Sequence, residues 1–313
     1  MTGNIMKTNQ LLIILCGLLA GLLALIAPQP AFAGGLHIHP VFLGGDPPPP
    51  SSIAGGGNLQ AIFAVAAKKW ERVFREGPDS WDITIEYVWA DTFAGGAAYG
   101  DEKLEEQGGT PVRPTRALVR LRNTETPNGF FDWYADPTPN TNAEYEHYES
   151  VVAEVIDPDF NPTGELINIG RVFSTTETGP AAGRADLLTV AMHEIGHALG
   201  LDFRYAGMIE QNIGNGLNIK SPLPFAGGFV FLTQGNHIDG YESVVLMSSA
   251  PTPGRRDLIS SLDALVIAQL TSFEEPDLSD PPGVPKVKEL HCCRLVLGPP
   301  PSPNKLPVPD IVQ

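Results

Sequence analysis

The chain has 313 residues, with 36 acidic against 20 basic side chains and a formal net charge of −16. That balance excludes the basic footprint of a nucleic-acid binder and disfavours docking on anionic lipid. Apolar residues at 42% suffice for a core, while 33 glycines and 30 prolines spread along the chain predict short elements joined by many turns.

Residues 1–33 read as a secretory signal peptide. Lys7 supplies the n-region charge, 11–27 is apolar almost throughout, and Ala31-Phe32-Ala33 offers a small-x-small cleavage site after Pro28 and Pro30. The apolar run lies at the short edge of a membrane span. Cleavage after Ala33 is therefore expected, with secretion to the periplasm or medium and no stable membrane association. It would also remove Cys16, leaving only the adjacent Cys292 and Cys293, so the domain is exported without being built as a disulfide scaffold. Residues 34–275 are expected to form one folded domain, and 276–313, acidic and then Pro-rich, a tail.

Within the domain, Leu36-His37-Ile38-His39 alternates like a short strand, its two histidines on one face and exposed by default. Residues 58–74 carry Leu59, Ile62, Phe63, Ala66, Trp70, Val73 and Phe74 at spacings of three and four, the stripe of an amphipathic helix. Residues 83–89 and 117–122 alternate and are β-rich, and 166–173 is a third strand. Asp157, Asp159 and Asn161 have the beginning of a calcium loop, but Pro162 stands where such a loop needs Gly and Asn168 where it needs Glu, so a solvated turn is expected. A helix is predicted over 187–199, stopped at Gly200, then a loop region to about 256. A last helix over 262–270 opens with the S-x-x-D capping pattern of Ser260 and Asp263.

The chemistry concentrates in the helix 187–199. It contains His193-Glu194-Ile195-Gly196-His197. Histidines four apart project from one helix face with Cβ atoms about 5–6 Å apart, close enough to share one tetrahedral Zn²⁺. Glu194 lies about 100° round the helix, where it can hold the water on the metal and take its proton without occupying a coordination position. The surrounding residues, Leu187, Leu188, Val190, Met192, Ile195 and Leu199, are apolar, so the helix is buried, and two histidines and a glutamate inside it need a reason.

The segment 193–200, HEIGHALG, resembles the helix of the metzincin zinc peptidases, H-E-x-x-H-x-x-G-x-x-H followed by a Met-turn. The place of the third histidine holds Phe203, which cannot ligate. Further on stand His237 and then Val245-Leu246-Met247-Ser248-Ser249. This arrangement is similar to the leishmanolysin-like branch and to a group of secreted bacterial peptidases, in which an insertion precedes the third histidine and the Met-turn follows it. The resemblance spans roughly 36–272. It implies an α+β fold with a twisted mixed sheet, a backing helix and the zinc helix, and a smaller C-terminal subdomain with the Met-turn. It also implies Zn²⁺ on His193, His197 and His237, Glu194 as general base, Met247 as the Met-turn residue, and a protein or peptide as substrate. The rivals for the third position are Asp202, Glu210 and Glu242. Phe203 is expected to pack in the core beside Leu199 and Leu201. The alternative in another class is a catalytically silent binding or surface protein on the same scaffold.

Overall fold

The computed structural model describes residues 34–296 apart from 76, 78–79, 92–95, 100–104, 107–112, 124, 127–128, 131, 157–160, 213–215, 221–224, 226–227, 234–235, 239–243 and 249–250. The signal segment and the calcium-like Asp157 and Asp159 lie outside these residues. Among the described residues no helix is long and apolar enough to cross a membrane.

The domain is mixed α+β. Strand β1 (Gly35–Phe42) leads into helix α1 (Leu59–Val73), whose first turn is capped by Asn58 Oδ1 accepting from the Ala61 N–H at 2.8 Å. Strand β2 (Ser80–Ala90) buries Trp81, Ile83, Ile85, Tyr87 and Trp89 on one face, the alternation its sequence foretold. Strands β3 (Gly96–Tyr99) and β4 (Pro114–Arg122), with which the two-residue strand Glu105–Glu106 also pairs, continue the first sheet in the order β1-β2-β4-β3. The first three of these run parallel and β3 is antiparallel at the edge. Helix α1 packs its stripe on this sheet, with Phe63 stacked on Tyr87 at 4.0 Å between ring centroids.

A second sheet is formed by β5 (His147–Ile156), β6 (Pro162–Ser174), β10 (Arg255–Leu258) and β11 (Leu290–Val296), in the order β10-β6-β5-β11. Between β6 and β10 come helix α2 (Leu187–Ala198), helix α3 (Ala206–Gln211) and a small antiparallel sheet of β7 (Gly216–Asn218), β8 (Phe229–Thr233) and β9 (His237–Ile238). Helix α4 (Ser261–Thr271) follows β10 with both halves of its Ser260–Asp263 capping box made.

Three expectations need correction. The region 200–256 is not a loop, since α3 and β7–β9 lie in it and β10 begins in it; these elements are two to six residues long, too short to show a period. Strand β5 was not foreseen because Val151, Val152, Ala153, Val155 and Ile156 are all buried, so no polar-apolar alternation marks it. The segment 276–313 does not begin as a free tail: Asp277 N–H donates to the Val73 carbonyl at 2.7 Å, Arg171 Nε donates to Asp280 at 3.0 Å, and β11 pairs parallel with β5. Its Pro-rich flanks concealed a short β run. Cys292 and Cys293 lie within that strand, and His291 is exposed.

One buried cation ties the parts together. Arg256, fully buried, donates to both carboxylate oxygens of Asp186 at 2.9 Å, to Asp136 at 2.7 Å and to the Thr141 carbonyl at 2.8 Å. Asp186 is also the N-cap of α2, accepting from the Thr189 N–H at 3.0 Å. Asp136 opens the Asp136-Pro137-Thr138-Pro139 turn. Arg256→Met would leave two carboxylates buried without their cation. The expected loss is about 3–5 kcal/mol, read as a lower urea midpoint at unchanged slope.

Candidate metal centre

Helix α2 is buried along almost its whole length, with His193 alone half-exposed. Gly200 stops it at φ +122°, where a Cβ would meet the Tyr205 ring at 2.8 Å, so the chain turns there as only glycine permits. The helix presents His193 and His197 side by side, their rings nearly perpendicular with centroids 4.6 Å apart. His237, at the start of β9, joins them from the chain's later half, its ring centroid 5.4 Å from that of His193 and 4.9 Å from that of His197. One ligand atom from each of the three lies within 4.8 Å of the others.

The tautomers follow from the partners. His193 Nδ1 is 2.8 Å from the Leu246 carbonyl oxygen, and His197 Nδ1 is 2.7 Å from the Leu201 carbonyl oxygen. A carbonyl only accepts, so both Nδ1 atoms carry hydrogen and, in neutral rings, both Nε2 atoms present lone pairs. Those Nε2 atoms face each other at 3.0 Å. Two lone pairs so placed repel unless a cation lies between them. The rings are held neutral: burial, then the neighbouring histidines, drive His193 well below the usual histidine range. Burial and then His237 push His197 to about 3, and burial lowers His237 as well. Neutral imidazoles with orienting Nδ1 bonds are what a divalent transition metal binds. Nitrogen ligands at roughly 2.0–2.1 Å on a tetrahedral zinc stand about 3.4 Å apart, within the spread of this cluster. The donor set therefore fits zinc.

The turn that carries Met247 packs against the same helix, α2, with the Met247 Sδ 2.4 Å from where a Cβ on Gly196 would lie. Met247 is fully buried, and its carbonyl accepts from the Ile238 N–H at 2.9 Å, tying it to the strand that carries His237. Its neighbour Leu246 supplies the carbonyl that orients His193. Asp263 on α4 holds this turn: its Oδ1 accepts from the Met247 N–H at 3.0 Å while its Oδ2 accepts from Ser260. Burial raises the Asp263 carboxyl to about 6. Sequence reasoning identified Asp263 only as half of a capping box; the second oxygen's partner lies in a distant loop that spacing does not reveal.

The rivals for the third position are placed elsewhere or fall outside the described residues. Asp202 is buried, but both its oxygens are taken by Arg204, whose Nε lies at 3.0 Å and Nη2 at 2.6 Å. Glu210 is exposed on α3, and Glu242 lies outside the described residues. Phe203 does not pack in the core as expected. It is 58% exposed with the Arg204 guanidinium over its ring, because the turn that brings Leu201 inward directs residue 203 outward. Glu194 is 3% exposed, inside the helix that carries the histidines. His37 and His39 are exposed on β1, and His39 meets Asp82 at 3.3 Å.

Comparison of the chain with protein-family models, with curated proteins and with solved structures returned no match.

Proposed function

We propose that the chain is an exported zinc-dependent endopeptidase of metzincin type, released by cleavage after Ala33. The observation that carries the reading is the convergence of three neutral imidazoles, from 193, 197 and 237, two of them on the helix that also carries the buried Glu194. His193, His197 and His237 would hold the metal. When bound, zinc supplies Lewis acidity to the scissile carbonyl and brings a water's pKa to about 7.

The chain's own groups do the rest. The Leu246 and Leu201 carbonyls fix the two helix histidines in the ligating tautomer. Glu194 takes the proton from the attacking water and delivers it to the leaving amine, so one carboxylate serves as base and then acid. Its burial in an apolar helix keeps competing water away and strengthens its interaction with the reacting centre. Strand β3 ends the strand order of the first sheet among the described residues, and an extended peptide could lie along its outer edge.

The reading is tested by elemental analysis of purified protein and by casein hydrolysis with and without a chelator. One equivalent of zinc and chelator-sensitive hydrolysis are expected. Zinc without hydrolysis would leave the silent binding scaffold, and absence of zinc would remove the metal centre altogether.

A further inference from the structure

A helix buried on all sides has no apolar stripe to fix its rotation about its own axis. Helix α2 is such a helix, with 11 of its 12 residues buried. Its rotation matters, because each residue of slip turns the face by about 100° and would carry His193 and His197 away from His237. Directional contacts must therefore set it. At the N-terminus these come from Asp186 and Arg256. Half-way along, the contact comes from α1: the indole Nε1 of Trp70 donates to the Met192 carbonyl at 2.8 Å, at the peptide that leads into His193.

The same ring reaches one turn further. A Cβ on Gly196 would lie 3.2 Å from Trp70 Cζ2 and 2.4 Å from Met247 Sδ. The glycine is thus a gap in the helix surface that Trp70 and the Met-turn thioether enter together. Trp70 touches the ligand helix at a carbonyl and at this gap, and neither contact involves a metal ligand side chain.

We propose that Trp70 is a positioning residue of the metal centre. Its N–H bond to Met192 and its edge at Gly196 key the rotation of α2 to the Met-turn, so that His193 and His197 face His237. The inference rests on the reading of the three histidines as a zinc site.

Trp81 supplies a matched control. It too is fully buried, and its Nε1 donates to a backbone carbonyl, that of Pro114, at 2.7 Å, on β2 and apart from the zinc helix. Trp70→Phe and Trp81→Phe each remove one buried indole N–H and keep an aromatic ring. Zinc affinity is measured by competition with a chromophoric chelator, well below the melting temperature of each variant. Both variants should melt earlier than the parent. Trp70→Phe should bind zinc about tenfold or more weakly, in line with the loss of a group that supports metal ligands, and shift the visible spectrum of the cobalt-substituted protein. Trp81→Phe should match the parent in both. If Trp70→Phe does not fold, benzothienylalanine at position 70 keeps the bicyclic shape without the N–H and takes its place. Zinc affinity and a cobalt spectrum equal to the parent's in the position-70 variant would overturn the proposal and leave Trp70 a core residue. A parent that takes up no zinc would instead overturn the site itself.

Discussion

Glu194→Gln should retain its zinc and lose hydrolysis by a factor of at least about 10²–10⁴, the usual contribution of a positioned general base. The substitution is nearly isosteric, so the packing of a side chain only 3% exposed is preserved. A neutral amide can still accept a hydrogen bond from water, but it cannot take the proton as the nucleophile forms. Metal content should not change, because the carboxylate is not among the three clustered ligand groups. Zinc analysis beside kcat/KM on a casein-derived peptide checks both halves. Undiminished kcat/KM would remove Glu194 from the chemistry, and lost zinc would make it a ligand.

The second large effect is expected at position 237. Zinc on two histidines alone has too few protein donors for a stable catalytic site. His237 is the residue that brings a third nitrogen within reach of His193 and His197. His237→Ala should therefore lose most of its zinc affinity, together with activity. Asp202→Ala should keep its zinc, because the Asp202 carboxylate is already engaged by Arg204 through a bidentate contact. Its cost should appear in stability instead, since a buried polar cluster loses its acceptor. Equal zinc occupancy in His237→Ala and the parent, with loss in Asp202→Ala, would transfer the role to the aspartate.

What was legible in the sequence depended on local repetition. Helix α1 was visible because Leu59, Ile62, Phe63, Ala66, Trp70 and Val73 recur on one stripe, and the observed element begins one residue after the expected start, at its Asn58 cap. Strand β2 was visible because every second residue from Trp81 to Trp89 is apolar. The pair His193 and His197 was legible because four residues on a helix is a fixed geometry. His237 was nominated by its place before Met247, and the two prove to be joined through the Ile238 N–H. What was not legible is held by contacts between distant segments. Nothing near Asp263 announces that its second oxygen reaches Met247, and nothing near Trp70 distinguishes a core residue from one bonded to the Met192 carbonyl. The fate of Phe203 turned on the direction of a turn, which hydrophobicity does not encode.

Strand β11 has a practical consequence. It covers the edge of β5, a strand that is buried over most of its length and rich in valine. A chain ended at residue 275 would lose this cover, together with the Asp280 carboxylate that meets Arg171 and the Asp277 tie to the end of α1. The row of amide and carbonyl groups so uncovered would be a template for strands of other molecules. Self-association is then the expected failure of a shortened form, read as a larger species in size-exclusion chromatography, with β11 the cover whose loss causes it.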